Sequence, residues 1–165
     1  MKILLVHTPF EPKRPITLVA LGIRKVCKTH WNHCALLIEL LGIKLIIESD
    51  IQGVRVVPLK NWIKKQEVKV YDVPKSDRDY NRAFSKCGKV GYSFVDLLWF
   101  MPIYIITGQF YGRKVDGFSN KPTCYELIAW LFDFKDWYKI TPTKFEEHLE
   151  NSNYICEGTI NASEL

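Results

Sequence analysis

The sequence predicts an α+β fold in which a small antiparallel sheet packs against a helix carrying a cysteine. Three observations point there. Apolar stretches of strand length crowd the first 73 residues and are joined by turn-length links. After residue 76 the chain changes to helix-start signals. One of these, Thr123-Cys124-Tyr125-Glu126, sets a thiol at the first position of a capped helix. Strands first and helices after argue against an alternating, parallel-sheet architecture.

The length of 165 residues suits one domain, 1–165, with a full core. Apolar residues at 47% and charged residues at 25% indicate a globular chain. The net charge of +5 is mild, and its basic residues are scattered apart from Lys64-Lys65, so no nucleic-acid partner is expected. Five cysteines at irregular spacing make no disulfide framework. The run Ile3 to Val6 stops at His7 and Pro9, too soon for a secretory leader. Reduced thiols and a cytoplasmic location are therefore expected. The longest apolar run, Leu97 to Ile106, is interrupted by Pro102 and falls short of the ~20 residues of a membrane span, so no transmembrane segment is expected.

In chain order, Lys2 to Val6 reads as a strand, and Thr8 to Pro15, with three prolines, as an extended loop. Ile16, Val19, Ala20, Ile23 and Cys27 recur at helical spacing and predict a helix over 16–27. Asn32 to Leu40, Lys44 to Ser49 and Val54 to Pro58 are three strands joined by Leu41-Gly42 and by Asp50 to Gly53, which gives an antiparallel meander. A helical turn at 59–65 and a strand at 68–73 follow. Ser76 with Asp79 starts a helix whose apolar face is Tyr80, Phe84 and Cys87, ended by Gly88. Ser93 with Asp96 starts another, to Gly108, and 109–121 reads as a loop. The cysteine helix runs to about Phe134. Thr143 and Glu146 cap a last helix, and the tail from Asn151 adds a strand or stays loose.

A thiol at a helix start is favoured as its anion by the dipole and the unpaired amides. Cys124 shares a face with Leu127, Ile128 and Leu131, so its sulfur points inward. Taken alone it also fits a small buried hydrophobe. A nucleophile needs a base and a group to orient that base. His33, at the start of a strongly apolar strand, is the candidate base. Glu48 ends the next strand, and antiparallel pairing brings the end of one strand beside the start of the other, so Glu48 is the candidate orienting group. A rival is a zinc cluster of Cys27, His30, His33 and Cys34, but the spacing is wrong, and His33 and Cys34 point to opposite faces of one strand. No metal and no cofactor are expected.

The run Asn32-His33-Cys34-Ala35-Leu36-Leu37-Ile38 resembles the histidine strand of circularly permuted, NlpC-type papain-like proteins. Ile47-Glu48-Ser49 and Gly53-Val54-Arg55-Val56-Val57-Pro58-Leu59 resemble the two segments after it. Gly91-Tyr92-Ser93-Phe94 and Cys124-Tyr125-Glu126-Leu127-Ile128-Ala129 resemble the late tyrosine-containing segment and the cysteine helix. The resemblance spans roughly Thr8 to Phe134. It implies a papain-like core with Cys124 as nucleophile, His33 as base and Glu48 as third member. A glutamate there is closer to the YiiX-like branch than to the lecithin retinol acyltransferase-like branch, where a second histidine is usual. Cys34 and the long apolar stretch at 94–106 depart from the pattern.

The function expected is a thiol hydrolase acting on an amide or peptide bond, cell-wall peptides included, with no cofactor. Cys124 attacks, His33 carries the proton, and the Cys124 amide with one further donor holds the oxyanion. Tyr125 and Tyr92 are candidates for contact with that oxyanion or with the substrate. Two alternatives stand beside it: a lipid acyltransferase or phospholipase-like enzyme with an acyl groove at Phe94 to Ile106, and a papain-like module that binds a peptide without turnover.

Overall fold

Four consecutive residues, Ile3 to Val6, are fully buried. A strand buried on both faces belongs in the interior of a sheet. In the computed structural model, which describes residues 1–13, 16–63, 66–74, 77–88, 102, 104–107 and 122–165, that is where they lie. Strand β1 (Lys2–His7) is flanked by β2 (His33–Leu40) and β5 (Glu67–Asp72). With β3 (Ile43–Asp50), β4 (Gly53–Pro58) and β6 (Ile155–Asn161) they form one six-stranded antiparallel sheet, ordered β4-β3-β2-β1-β5-β6. The fold is α+β.

The meander β2-β3-β4 is built as its turn residues dictate. Leu41 and Gly42 have φ of 51° and 75° and close a two-residue hairpin, in which positive φ at both central positions matches the strand twist. Alternation then sorts the side chains. Ile3, Leu5, Cys34, Leu36 and Ile47 face one side, and Leu4, Val6, Ala35, Leu37 and Ile46 face the other. The first side is covered by helix α4 (Cys124–Leu131), the second by the short helix α2 (Leu59–Trp62) through Leu59 and Trp62.

Helix α1 (Ile16–Cys27) has the predicted bounds. In α3 (Asp77–Lys86) Ala83 is fully buried, whereas Phe84 of the predicted apolar face is 37% exposed. Helix α5 (Pro142–Glu150) is capped by Thr141, whose hydroxyl accepts from the Lys144 amide at 3.2 Å, and not by Thr143. Pro142 sits at the first position, where its missing N–H costs nothing. Thr143 instead donates to the Cys27 carbonyl, and Glu146 accepts from Trp31 Nε1 at 2.8 Å, so both predicted capping groups tie α5 to the rest of the molecule. The tail is a strand: β6 pairs along β5, so the sheet also takes its last strand from the far end of the chain.

The expected cap at Ser76, most of the expected helix at 93–108 and the expected loop at 109–121 lie outside the described residues. Residues 104–107 are helical, with Ile105 and Ile106 66% and 83% exposed. Among the described residues no helix is long and apolar enough to cross a membrane.

Candidate active site

Cys124 is the first residue of α4, and the turn that presents it is fixed locally. Thr123 Oγ1 accepts from the Glu126 amide at 3.3 Å, and Glu126 Oε2 accepts from the Thr123 amide at 2.7 Å. This reciprocal box satisfies two backbone donors that a helix start otherwise leaves open. Two further bonds lock the turn to the sheet. Ser49 Oγ, fully buried, donates to the Pro122 carbonyl at 2.7 Å. Tyr125 Oη donates to the His33 carbonyl at 3.4 Å. The helix start is thus tied to β3 beside Glu48 and to β2 at His33 itself.

His33 Nε2 lies 2.9 Å from Glu48 Oε2. The paired ladder of β2 and β3 begins at Leu36 and Ile47, so Glu48 is diagonal to His33 and not directly opposite it. Two side chains of this length span such a diagonal. Glu48, 3% exposed, is also held by Trp62 Nε1 at 2.8 Å and by Arg55 at 2.7 and 3.1 Å. Arg55 in turn pairs with Asp50 at 2.6 Å. Burial alone would raise the Glu48 carboxyl, but the bond and charge of His33, with the Trp62 and Arg55 bonds, bring it down to about 2. Glu48 is therefore a carboxylate, and the proton on His33 belongs on Nε2.

That assignment leaves Nδ1 for the sulfur, and the His33 side chain is hydrogen-bonded to Cys124. Cys124 is 4% exposed. Burial opposes its ionisation, yet the thiol sits well below its ordinary value. The bond from the Cys34 thiol, the charge and bond of His33, and the Cys34 backbone amide all favour the anion. His33 responds in the opposite sense. Burial would lower it, but the Cys124 thiolate and Glu48 raise it to about 10. Both shifts favour the thiolate–imidazolium form of the pair. Cys34 is pushed well above the ordinary thiol range, by burial first and then by its bond to Cys124, so it keeps its proton and donates it.

The structure thus brings together Cys124, His33 and Glu48, from residues 15 apart on two strands and a helix far along the chain. It changes the expected role of Tyr125. That side chain is 4% exposed, stacks edge-on against Phe145 at 5.4 Å and spends its hydroxyl on the His33 carbonyl, so it braces β2 at His33 and its hydroxyl is already engaged. Tyr92 lies outside the described residues. Sequence reasoning missed Cys34, Ser49, Arg55 and Trp62. His33 and Cys34 do face opposite sides of β2, as alternation requires, yet both reach Cys124, which sits beside the start of that strand. Their adjacency in sequence was the one signal available for Cys34.

The rival zinc cluster does not assemble, because His30 lies beside His7 and Glu67 while His33 and Cys34 surround Cys124. A cavity of about 540 Å³ borders His33, Glu48, Arg55 and Trp62 together with Ala20 and Ile23 of α1. The group is equipped for nucleophilic attack: an anionic sulfur, a protonated imidazole beside it and a buried carboxylate holding the ring. Comparison with protein-family models and with curated proteins gives no match to this chain.

Proposed function

We propose that this chain is a thiol hydrolase that cleaves an amide or peptide bond through Cys124, His33 and Glu48, on a papain-like framework of the permuted NlpC type. The observation that carries the reading is the shared imidazole of His33, whose Nε2 lies 2.9 Å from Glu48 Oε2 and whose side chain also interacts with Cys124. The early histidine and late cysteine follow the order of the proteins the sequence resembles. The Cys124 thiolate attacks the carbonyl carbon, and the backbone amide of Cys124, at the positive end of α4, receives the oxyanion. His33 gives its Nδ1 proton to the leaving amine. Water then enters, His33 takes a proton from it, and the thioester breaks to release the acid and restore the thiolate.

A lipid ester is the second reading. It is favoured by the exposure of Ile105 and Ile106 at the end of the apolar stretch, where an acyl chain would find cover. The same sulfur and imidazole would serve.

The test is intact-mass trapping of the acyl-enzyme with peptide amides, activated esters and phospholipids, on wild type and Cys124→Ala. An adduct on Cys124 that decays by hydrolysis is expected, and none on the variant. Because the thiol is ionised well below its ordinary value, iodoacetamide labelling of Cys124 should stay fast and nearly flat across neutral pH. A free thiol at pH 7 would react about 30-fold more slowly than its full anion. Equal adduct formation in the variant, or labelling that climbs only near pH 9, defeats the reading. Turnover of phospholipid without any amide turnover selects the second.

A further inference from the structure

The register of the sheet gathers a second group of side chains away from the thiol. His7 ends β1, and Glu67, the first residue of β5, is its cross-strand partner. His30 stands in the link from α1 to β2, on the other side of β1, where the Asn32 amide bonds the Val6 carbonyl at 3.0 Å and draws that link in. His7 and His30 therefore stack, with ring centroids 4.1 Å apart, and His30 Nε2 meets Glu67 Oε2 at 2.8 Å. Among the described residues, these three are the group of histidine, cysteine, aspartate and glutamate ligands whose atoms all lie within 4.8 Å of one another.

The surroundings of His7 favour one tautomer. Its Nδ1 is 3.1 Å from the His30 carbonyl, which can only accept, while Arg24 Nη1, which can only donate, lies 3.1 Å from Nδ1 and closer to Nε2, an arrangement that favours the proton on Nδ1 and the lone pair on Nε2. Fixing one imidazole nitrogen on a backbone carbonyl is how proteins orient the other toward a metal ion. Arg24 Nη1 now holds that lone pair, at 2.5 Å. A cavity of about 670 Å³ is lined by His7, Glu67 and Gln66, and the Gln66 side-chain oxygen is buried without a hydrogen-bond donor among the described residues.

We propose that His7, His30 and Glu67 form a binding site for a divalent transition-metal ion of the zinc type, which Arg24 closes until the ion displaces its guanidinium. Two imidazoles and one carboxylate suit zinc and its neighbours and do not suit magnesium or calcium, which take oxygen ligands. Around zinc the ligand atoms stand about 3.3 Å apart, so the His30–Glu67 pair, now at 2.8 Å, must open slightly while the other separations, all within 4.8 Å, adjust toward that spacing. His30 and Glu67, 51% and 45% exposed, are free to do so. The ion takes the place of the proton between His30 Nε2 and Glu67, and that proton moves to Nδ1 of His30 or to solvent. Three protein ligands leave a fourth position open toward the cavity.

The test is calorimetric titration of the full chain with zinc chloride, paired with NMR of the imidazole resonances. One zinc per chain is expected, with the signals of His7 and His30 moving and those of His33 and His148 still. Glu67→Gln and His30→Ala, both at exposed positions, should each weaken binding at least tenfold. Arg24→Gln should tighten it. Amide spectra check that the variants fold. Absence of saturable binding, unchanged affinity in Glu67→Gln and His30→Ala, or shifts confined to His33 would overturn the site.

Discussion

Glu48 carries more bonds than any other side chain around the candidate nucleophile. It takes donors from His33, Trp62 and Arg55 while 3% exposed. A buried carboxylate with that many donors is both an orienting group and a source of stability, and its removal should show in both. Glu48→Ala leaves Trp62 Nε1 without its acceptor and the buried side of His33 without its carboxylate, while Arg55 keeps Asp50 and Gln52, and loss of one partner of a buried ion pair costs about 3–5 kcal/mol. Urea denaturation should report a loss of that order. The pH dependence has a definite sign. The folded carboxyl lies at about 2, below its ordinary 4.5. Its contribution is complete above 4.5 and is lost as the pH falls from there toward about 2. Wild type should weaken across that window more steeply than Glu48→Ala, in melts recorded from pH 6 to pH 2. His33 behaves oppositely: raised from 6.5 to about 10, it contributes fully below 6.5 and loses its contribution as the pH rises through about 10.

At the scale of elements, the start of α4 is fixed in two layers. The capping box is made within four residues and was legible in the sequence, since Thr123 and Glu126 each satisfy the other's amide. The docking of that turn is not local. It rests on the Ser49 bond across 73 positions and the Tyr125 bond across 92. Ser49→Ala orphans a buried carbonyl at about 1–3 kcal/mol and frees the turn from β3. A thiol titration followed by absorbance should then place Cys124 nearer its ordinary value, with far-UV circular dichroism unchanged. A thiol that titrates as in wild type would mean that the box alone sets the sulfur's position.

The whole molecule depends on a sheet that the chain enters from both ends. β1 lies inside it and β6 forms one edge, with Ala162 buried against the face that also holds Trp62. Removal of residues 154–165 exposes the β5 edge, a row of unpaired backbone groups that recruits other strands. The shortened chain should associate at concentrations where the full chain does not, which light scattering will report. The candidate metal group is also a product of this arrangement. His7 and Glu67 are 60 positions apart and meet only because β1 and β5 are neighbours.

What was legible in the amino-acid order is what neighbours in sequence decide. The strand runs, the Leu41-Gly42 hairpin, the bounds of α1, the capped cysteine, and the shared side of His33 and Glu48 all follow from periods of 2 and 3.6 and from caps. Even there, Thr143 was mistaken for a cap, because Thr141 stands two residues away with the same hydroxyl. The tertiary structure decided the rest: Trp62 and Arg55 on Glu48, Cys34 on the sulfur, Ser49 on Pro122, His7 beside His30. Each joins side chains that no local periodicity relates. Their meeting is set by which strands pair and by how α4 seats on the sheet, and burial of apolar surface over the whole chain drives both.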